Sequence, residues 1–138
     1  MTALFRFSAA HNFLGSLPSN VSAFSQLSSL AVSSNQLSTL PRELAACTHL
    51  ASVDISTNNF VEIPSVLLEM ESITHINAKS NFIAEVNDED LENSGSLEEV
   101  NLEDNPLTNA CHDSLQSVVK IRILISDKKI EDWEDLSI

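Results

Sequence analysis

Four histidines, two cysteines and two dense acidic runs are the residues here whose side chains could do more than pack. His11, His49, His75 and His112 offer imidazoles for metal binding or proton transfer. The adjacent pair Cys111 and His112 has the composition of an activated nucleophile. Each candidate fails on spacing. A zinc site needs ligands gathered a few residues apart, and no histidine has a cysteine or acid partner at that spacing. A Cys–His nucleophile needs the two groups facing each other and a third to orient the base, which a dipeptide does not supply. The runs at 87–93 (NDEDLEN) and 131–135 (EDWED) lack the alternating ligands and fixed glycine of a calcium loop and read as solvated faces. Two glycines in the whole chain leave no glycine-rich phosphate loop. The residues therefore point to no catalytic group, no metal site and no cofactor, and the histidines read as ordinary surface residues.

The side chains with regular spacing are asparagines. Asn12, Asn35, Asn58, Asn81 and Asn105 are separated by 23, 23, 23 and 24 residues. Each sits in the same apolar frame. Around Asn35 it runs Leu27, Leu30, Val32, then Leu37, Leu40, Pro41 and Leu44; around Asn58 it runs Leu50, Val53, Ile55, then Phe60, Ile63, Pro64 and Leu67. The fourth copy puts Asn87 where proline stood and gains a residue before Leu91. After Leu107 the frame degrades. The pattern is L-x-x-L-x-L-x-x-N-x-L, carried also by the segments 43–60, 73–86 and 97–107, and it resembles the leucine-rich repeat family of the typical, LPxxL type.

That pattern predicts an α/β fold: a right-handed leucine-rich repeat solenoid with five repeats starting near residues 4, 27, 50, 73 and 97. A parallel sheet lines the concave face, and short helical or irregular crossovers line the convex one. Residues 1–138 form one domain, with a closing strand and cap over 119–138. The closing strand reads from the alternation Val119, Ile121, Ile123, Ile125, and the cap from Trp133 and Leu136. No polar cap precedes Leu4, so the first strand is expected to be a bare edge: either the sequence is a fragment or alternative-start form of a longer protein, or a partner or second copy covers that end. The acidic crossover 87–96 is expected to be the most mobile segment. Phe13 and Phe82 are expected to pack over their turns.

Within each unit the asparagine has a physical task. The chain turns sharply after the strand, leaving backbone N–H and C=O groups without ladder partners. An amide both donates and accepts, so it can satisfy them in its own turn and the next. Asn12, Asn35, Asn58, Asn81 and Asn105 are thus expected to stack as a structural ladder.

Function is bounded by charge and by the outward strand positions. With 20 Asp and Glu against 7 Lys and Arg, the net charge of −13 disfavours nucleic-acid backbones and anionic lipid. No apolar run reaches membrane-spanning length. The two cysteines fall in different repeats, not in the terminal clusters of extracellular relatives, so a reduced cytoplasmic setting is expected, with the nucleus compatible. The sequon at Asn20 reads as coincidence. The resemblance implies a non-enzymatic interaction scaffold. The outward positions give a candidate binding face running from weakly basic (Arg6, Ser8, His11), through hydroxyls (Ser29, Ser33, Ser52, Asp54, Ser56) and a mixed strand (His75, Asn77, Lys79), to acidic (Glu99, Asn101, Glu103). Five strands at ~4.8 Å span about 20 Å, which suits a helix or loop of a protein partner. Two other roles fit the same surface: a regulatory or inhibitory subunit of a phosphatase or GTPase pathway, and an acidic chaperone for basic proteins.

Overall fold

A computed structural model describes the backbone of residues 6–8, residue 15 and residues 25–126. His11, Asn12, Phe13, Asn20, the residues ahead of Leu4 and the cap bearing Trp133 and Leu136 lie outside these, as do the side chains of Arg6 and Ser8.

One parallel sheet holds six strands in chain order: β1 (Arg6–Ser8), β2 (Ser29–Ala31), β3 (Ser52–Asp54), β4 (His75–Asn77), β5 (Glu99–Asn101) and β6 (Arg122–Leu124). Register follows the repeat, with Leu30 opposite Val53, Ile76 and Val100 in turn. Three-residue strands cannot stand alone; each is held by its two neighbours and by the side chains it sends inward. The middle residue of β2 to β5 is buried and its flanks are not, as the two-residue period of a strand requires.

From β2 onward each crossover carries one short helix. A 3-10 turn spans Arg42–Ala46, α1 spans Ser65–Glu69, α2 spans Asp88–Asn93 and α3 spans Asn109–Leu115. Pro41 and Pro64 precede the first two, where a missing N–H is no loss. The inward helix positions Leu44, Leu67, Leu91 and Leu115 close the core against the strands.

The acidic crossover carries the helix α2. Asn87, standing in for proline, accepts from the Glu89 N–H, and three acids fill the first turn, where the helix dipole favours them. The extra residue of this repeat is absorbed here. The closing strand starts at Arg122, not at residue 119; Val119 is 90% exposed, while Val118 and Ile121 take the buried places. The alternation therefore breaks before the strand begins. Phe82 is 58% exposed and is not covered by its turn; it lies between the buried Asn81 and Ile83, at a position the core does not use.

Candidate functional site

The strand exits are built by asparagine. The Asn58 amide nitrogen donates to Ile55 O (3.0 Å) and Ser56 O (3.1 Å) in its own turn and to Val32 O (3.0 Å) in the preceding repeat. Its oxygen accepts from the Leu37 N–H at 3.0 Å. Asn81 donates to Ala78 O, Lys79 O and Ile55 O, and accepts from the N–H groups of Asn58 and Phe60. Asn105 donates to Leu102 O, Glu103 O and Ala78 O, and accepts from Asn81 and Ile83. Asn35 donates to Val32 O and Ser33 O. Asn58, Asn81 and Asn105 thus each tie their own turn to the repeat before it. All four are buried.

Sequence reasoning missed the backbone conformation of the residue before each asparagine. Ser34, Thr57, Ser80 and Asp104 have φ of 58°, 54°, 60° and 57°. This left-handed region costs a non-glycine residue roughly 1 kcal/mol or more, and is least natural for β-branched Thr57. The bend aims each N–H at the following repeat: Ser34 donates to Ser56 O, Thr57 to Lys79 O and Ser80 to Glu103 O, at 2.9–3.0 Å, and Asp104 donates to Ser126 Oγ at 2.8 Å. No glycine marks these sites. The only signal was a short polar residue ahead of each asparagine, and Thr57 disguises even that.

The outward positions form rows across the sheet. One row is Arg6, Ser29, Ser52, His75, Glu99 and Arg122. The next is Ser8, Ala31, Asp54, Asn77, Asn101 and Leu124. Beyond the strand ends follow Ser33, Ser56, Lys79 and Glu103. The register brings the described members of the candidate face together on one surface; His11 lies outside the described residues.

Three of them already have local work. Asp54 Oδ1 accepts from the Ser56 N–H (3.0 Å) and hydroxyl (2.6 Å). Asn77 Oδ1 accepts from the Lys79 N–H at 3.1 Å, and Asn101 Oδ1 from the Glu103 N–H at 2.9 Å. These side chains hold the strand exits by the Asx-turn geometry, which pairs a side chain with the backbone two residues on. Ala31 cannot do this. The acidic end is also not the end of the face, because β6 adds Arg122, whose Nε lies 3.8 Å from Glu99 Oε1. That pair is largely solvated and contributes little to stability. Its effect is to soften the acidic border.

The groups that first suggested chemistry are structural. His112 is buried, not at the surface. Its Nε2 donates to Ser126 O at 3.0 Å, which leaves Nδ1 to accept from Gln116 Nε2 at 3.4 Å. The ring pins the exit of β6 to α3. Beside it Cys111 Sγ accepts from the Val86 N–H at 3.2 Å, and its N–H donates to the Thr108 hydroxyl. Burial pushes the Cys111 thiol up, against a smaller lowering from the Val86 hydrogen bond, and burial likewise raises Cys47. Both stay protonated where a nucleophile must ionise. His49 and His75 are exposed, and Thr74 Oγ1 lies 2.9 Å from His75 Nδ1. Among the described residues no three His, Cys, Asp or Glu gather as metal ligands, and no helix is long and apolar enough to cross a membrane.

No family model matches the chain, and no curated protein does. Among solved structures, a leucine-rich repeat protein of Leptospira interrogans superposes on 88% of this chain with a TM-score of 0.78 at 21% identity. The chain spans 31% of that protein's length. Strand order, register and this likeness together make the fold an α/β leucine-rich repeat solenoid.

Proposed function

We propose that the chain is a non-catalytic interaction scaffold whose concave sheet takes a protein partner. The observation that carries the reading is the outward surface itself. Ser29, Ser33, Ser52, His75, Lys79, Glu99 and Glu103 share one face in register, at positions the core does not use. Leucine-rich repeat solenoids commonly serve as binding surfaces of this kind. Asp54, Asn77 and Asn101 belong to the scaffold beneath that surface, since each holds its own turn. A reducing intracellular compartment fits two buried thiols outside any disulfide. The non-consensus segments AFSQL (23–27), VDIS (53–56) and NPL (105–107) resemble leucine-rich repeat-containing protein 20; that finer kinship rests on these residues alone.

The test is affinity purification with the wild-type chain and a triple variant Ser52→Arg, Lys79→Glu, Glu103→Lys, each checked for native circular dichroism. The variant is expected to lose the partners that the wild type retains. Partners that survive the triple variant but are lost on Glu69→Lys, Glu71→Lys would place binding on the crossover side and remove the concave-face reading.

A further inference from the structure

Three large apolar side chains are strongly exposed among the described residues: Val61 (65%), Phe82 (58%) and Val119 (90%). Two of them are neighbours. The Phe82 N–H donates to Phe60 O at 2.8 Å. That bond sets Phe82 against the peptide joining Phe60 to Val61, outside the strand ladder. The equivalent bond one repeat earlier runs from the Asn59 N–H to Leu37 O, where the neighbouring residues are polar. In the next repeat the link lies two residues further from the asparagine, where the Thr108 N–H bonds Ala84 O and Thr108 Oγ1 donates to Glu85 Oε1 at 3.2 Å.

The surroundings of the pair are mainly acidic. Glu62 follows Val61, and Glu85 follows Phe82 by three residues; both are exposed. The acidic first turn of α2, Asp88, Glu89 and Asp90, comes next in the chain. Against these stands one base, Arg42, which shares a groove of about 180 Å³ with Glu62 and is the one Lys or Arg on the crossover side from residue 36 to residue 113. Scattered exposed hydrophobes need no explanation, but an adjacent pair with a predominantly acidic border is the pattern of a contact surface.

The geometry points to a second docking surface, separate from the concave face: a ledge of Val61 and Phe82, rimmed by Glu62 and Glu85, that takes a partner segment with an apolar anchor flanked by lysine or arginine. The apolar anchor covers the exposed pair, and the bases meet the carboxylates, which the partner's approach desolvates only in part. A basic apolar segment is attracted by the whole field of a chain with net charge −13, and an acidic one is repelled.

Two labelled synthetic peptides of equal length, an amphipathic Leu/Lys helix and its Leu/Glu counterpart, test this by fluorescence anisotropy against the full chain. The Leu/Lys peptide is expected to bind saturably. Phe82→Ser, or Val61→Ser, is expected to weaken it about tenfold or more, the scale of losing one apolar anchor. Glu62→Lys with Glu85→Lys should weaken it and flatten its salt dependence. Val119→Ser, an exposed apolar change elsewhere that leaves the charge untouched, should leave it unaltered. Absence of saturable binding, binding indifferent to Phe82→Ser, or equal binding of the Leu/Glu peptide overturns the proposal. A second copy is the competing occupant, because no Asp or Glu precedes Glu43. If sedimentation shows a wild-type dimer that Phe82→Ser converts to monomer, the ledge belongs to self-association and the partner segment is overturned.

Discussion

At the strand exits Asn58, Asn81 and Asn105 each reach the carbonyl of the preceding repeat at 2.9–3.0 Å, through the same atoms. Across the solenoid, the equivalent crossovers open on Pro41, Pro64, Asn87 and Thr108 and form a 3-10 turn and three α-helices of differing length. The exits are shared property. An asparagine satisfies groups in two repeats, so a change of length or type there would damage both. A crossover is capped from within its own repeat, by the Asn87 or Thr108 side chain, and its links to the neighbouring repeat differ from one crossover to the next. The one insertion in the repeat period duly falls in α2. The acidic run 87–93 falls in this more variable part of the repeat.

The sharpest way to break this comparison is to remove one side chain from each region. Asn58→Leu leaves Val32 O still bonded by Asn35, Ile55 O by Asn81 and Ser56 O by the Ser34 N–H. What it orphans is the buried Leu37 N–H. The expected loss is about 2–3 kcal/mol, read as a lower urea midpoint, since a buried donor left unmet costs its full desolvation. Asn87→Ala removes only an exposed cap, and should cost about 1 kcal/mol or less. Equal losses would mean the ladder is no more cooperative than a local cap.

A smaller effect of opposite sign is expected at Ser94. It stands three residues after Leu91, as Cys47 does after Leu44 and Met70 after Leu67. It is 3% exposed, and its hydroxyl meets no protein partner. Ser94→Ala should raise stability by about 1 kcal/mol, because a hydroxyl buried without a hydrogen bond is penalised and alanine is not. A loss on this substitution would show that the crossover core does use the hydroxyl.

The smallest expected effect is a pH dependence from the thiols. Burial raises both cysteines above their unfolded values, so the folded state holds these protons longer than the unfolded chain. Their contribution to stability is complete below about pH 8.5, where the unfolded thiol begins to ionise, and is lost as pH rises through the folded values. Urea midpoints should fall above that pH, and fall less steeply in Cys47→Ala than in the wild type. A steeper fall in the variant would mean another group governs the alkaline limb.

Much of the architecture was legible because it repeats. The frame around Asn35, Asn58, Asn81 and Asn105 states strand phase, inward positions and turn site four times over, and repetition averages out the local noise that blurs a single motif. Where the chain ceases to repeat, the pattern placed the closing strand but not its start. The alternation from Val119 to Ile125 looked continuous, yet the strand occupies Arg122–Leu124 and Val119 lies in solvent. The candidate face was legible as a set of positions, but not as a set of available side chains. That Asp54, Asn77 and Asn101 are committed to their turns depends on backbone direction two residues on, which no spacing records.

The sequence by itself determined the solenoid, its period and the place of the asparagines, because apolar spacing dictates which atoms leave water and an amide at a fixed offset must serve the same turn each time. Only the tertiary structure decided the left-handed residues ahead of each asparagine, the buried role of His112 and the bond that sets Phe82 against the Phe60–Val61 peptide. Each of those depends on a hydrogen bond between segments more than a dozen residues apart or on a backbone angle, and it is stacking, not local sequence, that sets both.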